Sequence, residues 1–264
     1  MIILGYILAI VMGLTLGLIG AGGSILTVPI LVYLLGVKPV VATGYSLLVV
    51  GSAALTGSIR YWRNGLVNLK AAAMFAAPAM LTVLATRTFI VPAIPDPIAG
   101  ISKDIFIMML FAGLMILAAT FMLKPVKTMP DSSHALDARR IIKLISGSVG
   151  VGVLTGMVGA GGGFLIIPTL IALFGLPVKE AIGTSLAVIA VNSLVGFQGD
   201  VGAGIPLDWR LLATFLGLTL FGMWIGTTLG KRMDGAKLKK LFGMFTLLVG
   251  LAVLAEELHT LLNH

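Results

Sequence analysis

Two clusters of glycine are the residues whose types and spacing most directly indicate chemistry in this sequence. Residues 17–29 are GLIGAGGSILTVP, and residues 156–168 are GMVGAGGGFLIIP, 139 positions further along the chain. Glycine interrupts regular helix and lets the backbone approach a ligand closely. A helix that begins after such a break presents unbonded N–H groups and a positive dipole end, which together attract anions. The two clusters therefore predict a paired site for a small anion.

Polar residues that follow each glycine cluster supply further candidate ligands. Tyr45 and Ser46 in ATGYSLL align with Thr184 and Ser185 in AIGTSLA, and Asn192 lies deep in the apolar stretch that follows. Hydroxyl and amide groups donate hydrogen bonds to anions, although Ser and Thr in helices also bond carbonyls of the preceding turn. The predicted substrate-binding residues are Gly20, Ala21, Gly22, Gly23, Ser24, Tyr45, Ser46, Gly159, Ala160, Gly161, Gly162, Gly163, Thr184, Ser185 and Asn192.

Close helix packing is the alternative explanation of the glycine clusters, because small residues commonly line helix contacts in membranes. The duplication, the short apolar run after each cluster, and Pro29 and Pro168 at equivalent positions favour the ligand site. A nucleotide site is not indicated, since GAGGS lacks the P-loop lysine and follows no strand. The apolar segments pair no nucleophile with a base, so we expect a protein that is not an enzyme and needs no cofactor or metal.

The elements that must position these residues are membrane helices. The chain has 264 residues, of which 58% are hydrophobic and 11% charged, and its mean hydropathy is +1.11. Soluble domains carry about 25% charged residues, and about 18 consecutive apolar residues suffice to cross a bilayer. Lys and Arg lie between the apolar segments, so the net charge of +8 indicates membrane topology rather than nucleic-acid binding. The composition predicts an all-α integral membrane protein in contact with lipid.

An internal duplication organises these helices. With an offset of 139 residues, 17–65 aligns with 156–204 without a gap, and 18 of the 49 positions are identical. We predict a first membrane repeat over 1–123, a cytoplasmic linker over 124–140 and a second membrane repeat over 141–264. The predicted membrane segments are 2–19, 24–35, 41–59, 71–91 and 104–123, then 141–158, 163–174, 181–199, 211–230 and 241–262.

Segment length and charge indicate that each glycine cluster reverses the chain. The run 24–35 spans only about 18 Å as helix, against about 30 Å of hydrocarbon, so it predicts a short or re-entrant return arm. With a reversal at both clusters, all Lys and Arg residues share one side except Lys38, Arg87, Lys103 and Arg210. The positive-inside rule then places the linker in the cytoplasm and both termini outside. Arg87, near the end of its span, is expected to extend to the lipid interface.

Five segments in each repeat, an odd number, make the two repeats inverted relative to each other. Inverted repeats are typical of secondary transporters, which bind substrate near the midplane where the repeats meet. The ten carboxylates lie in loops or toward span ends, so the sequence offers no evident acid for a proton relay or a cation site. A passive anion channel is the alternative function, and the oligomeric state is open, with a homodimer among the possibilities.

The glycine motif leading to proline, the A-x-G-x-S-L motif and the Y-W-R-N-G turn of the first repeat resemble the TauE/SafE family of sulfite exporters. The resemblance covers about residues 5–90 and 145–255, and it departs at 199–204, where GDVGAG replaces the basic turn. It implies a transporter of sulfite, an organosulfonate or a related sulfur anion in a bacterial inner membrane. A membrane potential, negative inside, contributes about 2.3 kcal/mol per charge per 100 mV to anion efflux, which favours export.

The predicted topology can be checked by labelling single cysteines in intact cells, because the native chain contains no cysteine. Asp131→Cys in the linker is expected to react only after the membrane is permeabilised, whereas Pro97→Cys is expected to react with an impermeant maleimide from outside. Labelling of both positions from the same side would contradict the inverted arrangement.

Overall fold

The described part of the chain is helical throughout its regular elements, as the composition predicts. A computed structural model describes residues 2–20, 23–98, 101–123, 138–159, 161–202, 207–229 and 235–262. The helices, numbered in chain order, are α1 Ile2–Ile19, α2 Gly23–Leu34, α3 Pro39–Arg63, α4 Leu69–Ala93, α5 Lys103–Leu123, α6 Ala138–Val158, α7 Gly163–Phe174, α8 Val178–Gly202, α9 Trp209–Leu229 and α10 Gly235–Leu262.

Six of the described helices are long and apolar enough to cross a membrane: α3, α4, α5, α8, α9 and α10. Shorter apolar helices lie at Ile3–Ile19, Gly23–Leu34 and Leu144–Val158. The chain is therefore an integral membrane protein. Each predicted apolar run overlaps one helix, and the largest difference is at α10, which begins at Gly235 rather than at residue 241. Of the predicted linker, residues 124–137 lie outside the described residues, and α6 begins at Ala138.

Glycines with left-handed backbone conformations end the helices on either side of each break. Gly20 follows α1 with φ of 83°, and Gly159 follows α6 with φ of 72°. Gly36 and Gly175, at equivalent positions of the two repeats, end α2 and α7 with φ of 68° and 64°. A side chain is strained in this region, so glycine is the residue that lets a helix stop here.

Helices α3 and α8 form the central contact of the bundle, and they run antiparallel. The neighbouring residues along this contact are Gly44 with Asp200, Gly51 with Leu194, Gly57 with Leu186 and Tyr61 with Gly183. In these pairs the residue numbers rise along α3 as they fall along α8, so the two helices are antiparallel. Glycine at four of these positions removes the side chain between the two backbones, so the helices approach closely.

Two further helix pairs flank this contact and are parallel. Helix α1 packs along α9, and α6 packs along α4, in both cases with the residue numbers rising together. The glycines at these contacts are Gly13, Gly17, Gly222 and Gly226 in the first pair and Gly152 and Gly156 in the second. Helices α5 and α10 form a separate pair at the side of the bundle. The predicted ligands on α3 and α8 thus lie in a bundle whose helices are held together by glycine contacts.

A side chain at Gly222 is expected to destabilise the bundle, because an added Cβ would meet the backbone of α1 at Ile10 and Leu14. Overpacking of this kind costs about 1–3 kcal/mol. We expect Gly222→Val to lower the detergent-solubilised unfolding temperature clearly, while Gly217→Val on the same helix, where nothing lies within 4 Å of the added Cβ, changes it little. Equal unfolding temperatures for the two variants would contradict the close α1–α9 contact.

Candidate functional site

The second glycine break lies between the two central helices. Gly159, Gly161 and Gly162 all have positive φ, and Gly161 and Gly162 are buried. A Cβ added to Gly161 would lie 3.0 Å from Val50 of α3 and 3.1 Å from Ile189 of α8. Val50 and Ile189 occupy equivalent positions of the two repeats, 139 residues apart. The turn at Gly161 therefore contacts both halves of the molecule at matching points.

The helix that follows this break begins without a side-chain cap. Gly162 is the N-cap of α7, has φ of 64°, and offers no side chain to bond the first-turn N–H groups. Those N–H groups carry the positive end of the helix dipole. Gly163, the first residue of α7, is buried. The start of α7 therefore offers buried backbone donors beside the α3–α8 contact.

Asn192 and Ser193 are adjacent, unpartnered polar side chains of α8, and Ser193 lies beside this turn. Both are 0% exposed, and neither the amide of Asn192 nor the hydroxyl of Ser193 has a hydrogen-bond partner in the described residues. Ser193 Oγ lies 3.4 Å from the position of a Cβ on Gly161. Buried polar groups are almost always hydrogen-bonded, so two neighbouring side chains without partners require an explanation such as a bound ligand. Asn192 was a predicted ligand; Ser193 was not.

The hydroxyl groups of Ser46 and Ser185 donate hydrogen bonds to backbone carbonyls of the protein. Ser46 Oγ donates to the carbonyl of Gly159 at 2.7 Å, and Gly159 itself packs against the backbone of Thr43. Ser185 Oγ donates to the carbonyl of Ile182 in its own helix at 2.8 Å. Since a hydroxyl carries one proton, neither serine has a donor left for an anion in this conformation. Ser46 therefore positions the second break. Ser185 bonds a carbonyl of the preceding helical turn, which is the alternative role that the sequence allowed for it.

Tyr45 and Thr184 hold loops of the opposite repeat. The Tyr45 hydroxyl accepts a hydrogen bond from the backbone N–H of Asp208 at 2.6 Å, and Thr184 Oγ1 accepts one from the N–H of Asn68 at 2.9 Å. Asp208 and Asn68 precede the fourth helices of the two repeats, α9 and α4. The structure therefore does not bring these two predicted ligands to the turn at Gly161.

The first glycine break is described only in part. Gly20 lies against Ile182 of α8, and Gly23 lies against α1 near Met12 and Leu16. Ser24 is fully buried and already has an interaction partner. The predicted ligands Ala21 and Gly22, and Ala160 in the second break, lie outside the described residues.

The position of Arg87 differs from the one expected from the sequence. Arg87 is 1% exposed, and its Nη1 atom lies 3.1 Å from Asp200 Oδ1 and 3.1 Å from Thr43 Oγ1. The prediction that Arg87 extends to the lipid interface is therefore wrong, because Asp200 neutralises the guanidinium within the bundle. Asp200 lies near the end of α8, as predicted, yet it is only 2% exposed. The apolar segments consequently contain a buried acid, contrary to the expectation from the sequence.

One feature of the sequence marks this ion pair. Asp200 aligns with Tyr61, and the equivalent contacts of Gly196 with Val83 and of Gly57 with Met223 pair Arg87 with Thr227, so both charges depart from the duplicated pattern. Each also has a glycine beside it in space: Gly199 lies against Arg87, and Gly44 lies against Asp200. A charge within an apolar run that is absent from the repeat and faces glycine is a signal for burial.

The model of the sulfite exporter TauE/SafE family matches residues 5–253, nearly the whole chain. The chain belongs to the TauE/SafE sulfite exporter family. This membership confirms the resemblance inferred from the glycine motifs.

Relatives of this TauE/SafE protein bear the name of probable membrane transporter proteins. A "probable membrane transporter protein" of Xylella fastidiosa is 31% identical over 92% of this chain and 90% of its own length. The "probable membrane transporter protein YunE" of Bacillus subtilis is 25% identical over 96% of this chain and 98% of its own length. No solved structure matches the chain significantly. The protein is therefore a membrane transporter rather than an enzyme.

The bond from Ser46 to the second break generates a prediction for this TauE/SafE protein. Ser46→Ala removes the hydrogen bond to Gly159, a loss of about 1 kcal/mol, and is expected to speed amide hydrogen exchange in residues 159–163 about fivefold. Ser185→Ala is the matched control, because its hydroxyl bonds only its own helix. Identical exchange of this segment in both variants, measured by mass spectrometry, would show that Ser46 does not hold the break.

Proposed function

We propose that this TauE/SafE protein is a secondary carrier that exports a small sulfur-containing anion, sulfite or an organosulfonate, by alternating access between inverted repeats. The observation that carries the proposal is the meeting of three features at the α3–α8 contact. These are the turn at Gly161, the uncapped start of α7, and the unpartnered side chains of Asn192 and Ser193. Membership of a sulfite exporter family supports the class of substrate.

Paired contacts between the repeats support their inversion. Gly44 packs against Asp200, which is equivalent to Tyr61, and Tyr61 packs against Gly183, which is equivalent to Gly44. A two-fold relation between two units produces reciprocal contacts of this kind. Because α3 and α8 are equivalent helices and run antiparallel, the two-fold axis is perpendicular to them. With α3 and α8 crossing the bilayer, such an axis lies in the membrane plane, which is the arrangement of inverted repeats.

The chemistry of the proposed site suits an anion. The N–H groups at the start of α7, the amide of Asn192 and the hydroxyl of Ser193 are hydrogen-bond donors that an oxyanion can accept from. The position of Asn192 and Ser193 midway along α8 supports this role, because transporters built from inverted repeats bind substrate near the membrane midplane. Backbone that leaves helical geometry in a membrane must be buried or line a cavity, and the second break is buried between α3 and α8.

The first break completes the proposed site. In an inverted arrangement Gly20, Ala21, Gly22, Gly23 and Ser24 would approach the substrate from the opposite side of the membrane. We retain Gly159, Ala160, Gly161, Gly162, Gly163 and Asn192 as ligands and add Ser193. Tyr45, Ser46, Thr184 and Ser185 instead hold the loops and helices around it, since their hydroxyl groups already bond the protein.

Orientation follows from the distribution of charge. Most Lys and Arg residues lie on the side of the linker, which the positive-inside rule assigns to the cytoplasm. The membrane potential then drives an anion outward by about 2.3 kcal/mol per charge per 100 mV. Export therefore needs no coupling ion when the anion accumulates inside.

Flux through proteoliposomes tests the site with a matched pair of glycine variants. Gly161→Leu inserts a side chain between Val50 and Ile189 and is expected to reduce sulfite flux at least about tenfold, as the loss of about 1.4 kcal/mol of binding would. Gly175→Leu is the control, because its φ of 64° imposes similar backbone strain while nothing lies within 4 Å. Equal flux in both variants would contradict the proposed site.

The same preparation tests the substrate and the mechanism. Sulfite, thiosulfate, sulfate and sulfoacetate are compared as substrates. In addition, unlabelled sulfite on one side of the membrane is expected to accelerate the flux of labelled sulfite from the other side. Such countertransport is the property of a carrier. Single-channel currents without countertransport would contradict alternating access, and the absence of flux with all four anions would contradict the assigned substrate class.

A further inference from the structure

The buried pair of Arg87 and Asp200 lies apart from the proposed central site but on the same helix contact. Asp200 is two helical turns further along α8 than Asn192 and Ser193, and Arg87 reaches across to Thr43 of α3. The backbone of Thr43 contacts Gly159, at the start of the second break. Arg87 therefore contacts a residue that itself supports the proposed site.

The pair is buried with its hydrogen bonds incomplete. Arg87 Nη1 bonds Asp200 and Thr43, but Arg87 Nε and Nη2 and Asp200 Oδ2 have no partner in the described residues. Burying a charge costs several kcal/mol, which only good geometry and complete hydrogen bonding recover. Intramembrane charges are for this reason retained mainly where they serve a function. The unpaired Nε and Nη2 donors of Arg87 therefore indicate a functional role.

The fold does not require this pair. The equivalent helix contact in the other repeat packs without it, since Thr227 and Tyr61 occupy the two positions. Glycines make the space for the charges: a Cβ on Gly199 would lie 2.9 Å from Arg87 Cβ, and one on Gly44 would lie 2.7 Å from Asp200 Oδ2. Arg87 also lies in a π-helical turn, Thr86–Ile90, of a kind that frequently marks functional sites.

Arginine suits an oxyanion better than any other side chain. Its planar guanidinium offers Nε and Nη2 as a fork that matches two oxygens of one anion, and these are the two nitrogens that lack partners. Nη1 stays bonded to Thr43 and Asp200. An anion with two or three oxygens on one sulfur would therefore satisfy the remaining donors without breaking the contacts that hold the side chain.

We propose that Arg87 is a ligand for the transported oxyanion and that Asp200 is its internal counter-ion, which competes with the substrate for the guanidinium. This inference rests on the proposed function and names a second binding position for the same anion, displaced from the central site toward the end of α8. Asp200 neutralises Arg87 when the position is empty, and it weakens anion binding enough for the substrate to leave.

Three variants separate a ligand from a structural ion pair. Asp200→Asn keeps the shape and an acceptor oxygen but removes the competing charge, so sulfite is expected to bind about tenfold more tightly, a change of about 1.4 kcal/mol. Arg87→Gln combined with Asp200→Asn removes both charges, which avoids leaving one buried charge alone. This double variant is expected to fold and to lose sulfite binding and transport by at least about tenfold. Arg60→Gln is the control.

Arg60 is a suitable control because it is also an arginine anchored between helices of the two repeats. It donates to the carbonyl of Trp224 at 2.9 Å and to Thr228 at 3.3 Å, and it lies 5.8 Å from the centre of the Trp224 ring. Its loss removes packing and hydrogen bonds without touching Arg87. We expect Arg60→Gln to bind and transport sulfite with the affinity of the native protein.

Sulfite-dependent thermal stabilisation of the purified protein measures binding, and proteoliposome flux measures transport. A double variant that binds and transports sulfite as the native protein does would overturn the inference, as would weaker binding by Asp200→Asn. Failure of the native protein to transport any sulfur anion would instead reject the proposed function. The two failures are therefore distinguishable within one set of measurements.

Discussion

Backbone N–H and C=O groups inside a bilayer find no water, so the chain leaves helical geometry only where protein surrounds it. This constraint explains the position of the two glycine breaks. Gly159 packs on the backbone of Thr43, Gly161 lies between Val50 and Ile189, and Gly23 packs on α1. The described non-helical backbone is therefore held within the bundle rather than against lipid.

Glycine contacts between helices make this burial possible. Helices α3 and α8 approach closely because glycine lies at one position of each neighbouring pair along their contact. Asn192, Ser193 and the Arg87–Asp200 pair are buried within the bundle, so their unpartnered atoms are costly. A site that is dry and rich in donors binds an anion strongly, and a neighbouring carboxylate that competes for a donor keeps that binding reversible.

Much of the fold could be predicted because the signals are local in sequence. Apolar runs of sufficient length predict membrane helices, and glycine with proline after it predicts where they break. The break after Ile19 and the break after Val158 were placed correctly, and the duplication predicted that they would match. Asn192 is a predicted ligand because an amide deep in an apolar run is costly without a partner, and the structure leaves its amide buried without a partner in the described residues.

By itself the sequence determined the membrane class, the helices, the duplication and the family, because each depends on composition or on neighbours along the chain. Only the tertiary structure decided which polar groups are already occupied. Tyr45, Ser46 and Thr184 bond residues more than a hundred positions away, and a local pattern carries no record of such partners. The same holds for Arg87: its distance from the end of a span indicated the interface, whereas Asp200, 113 residues later, neutralises it inside the bundle.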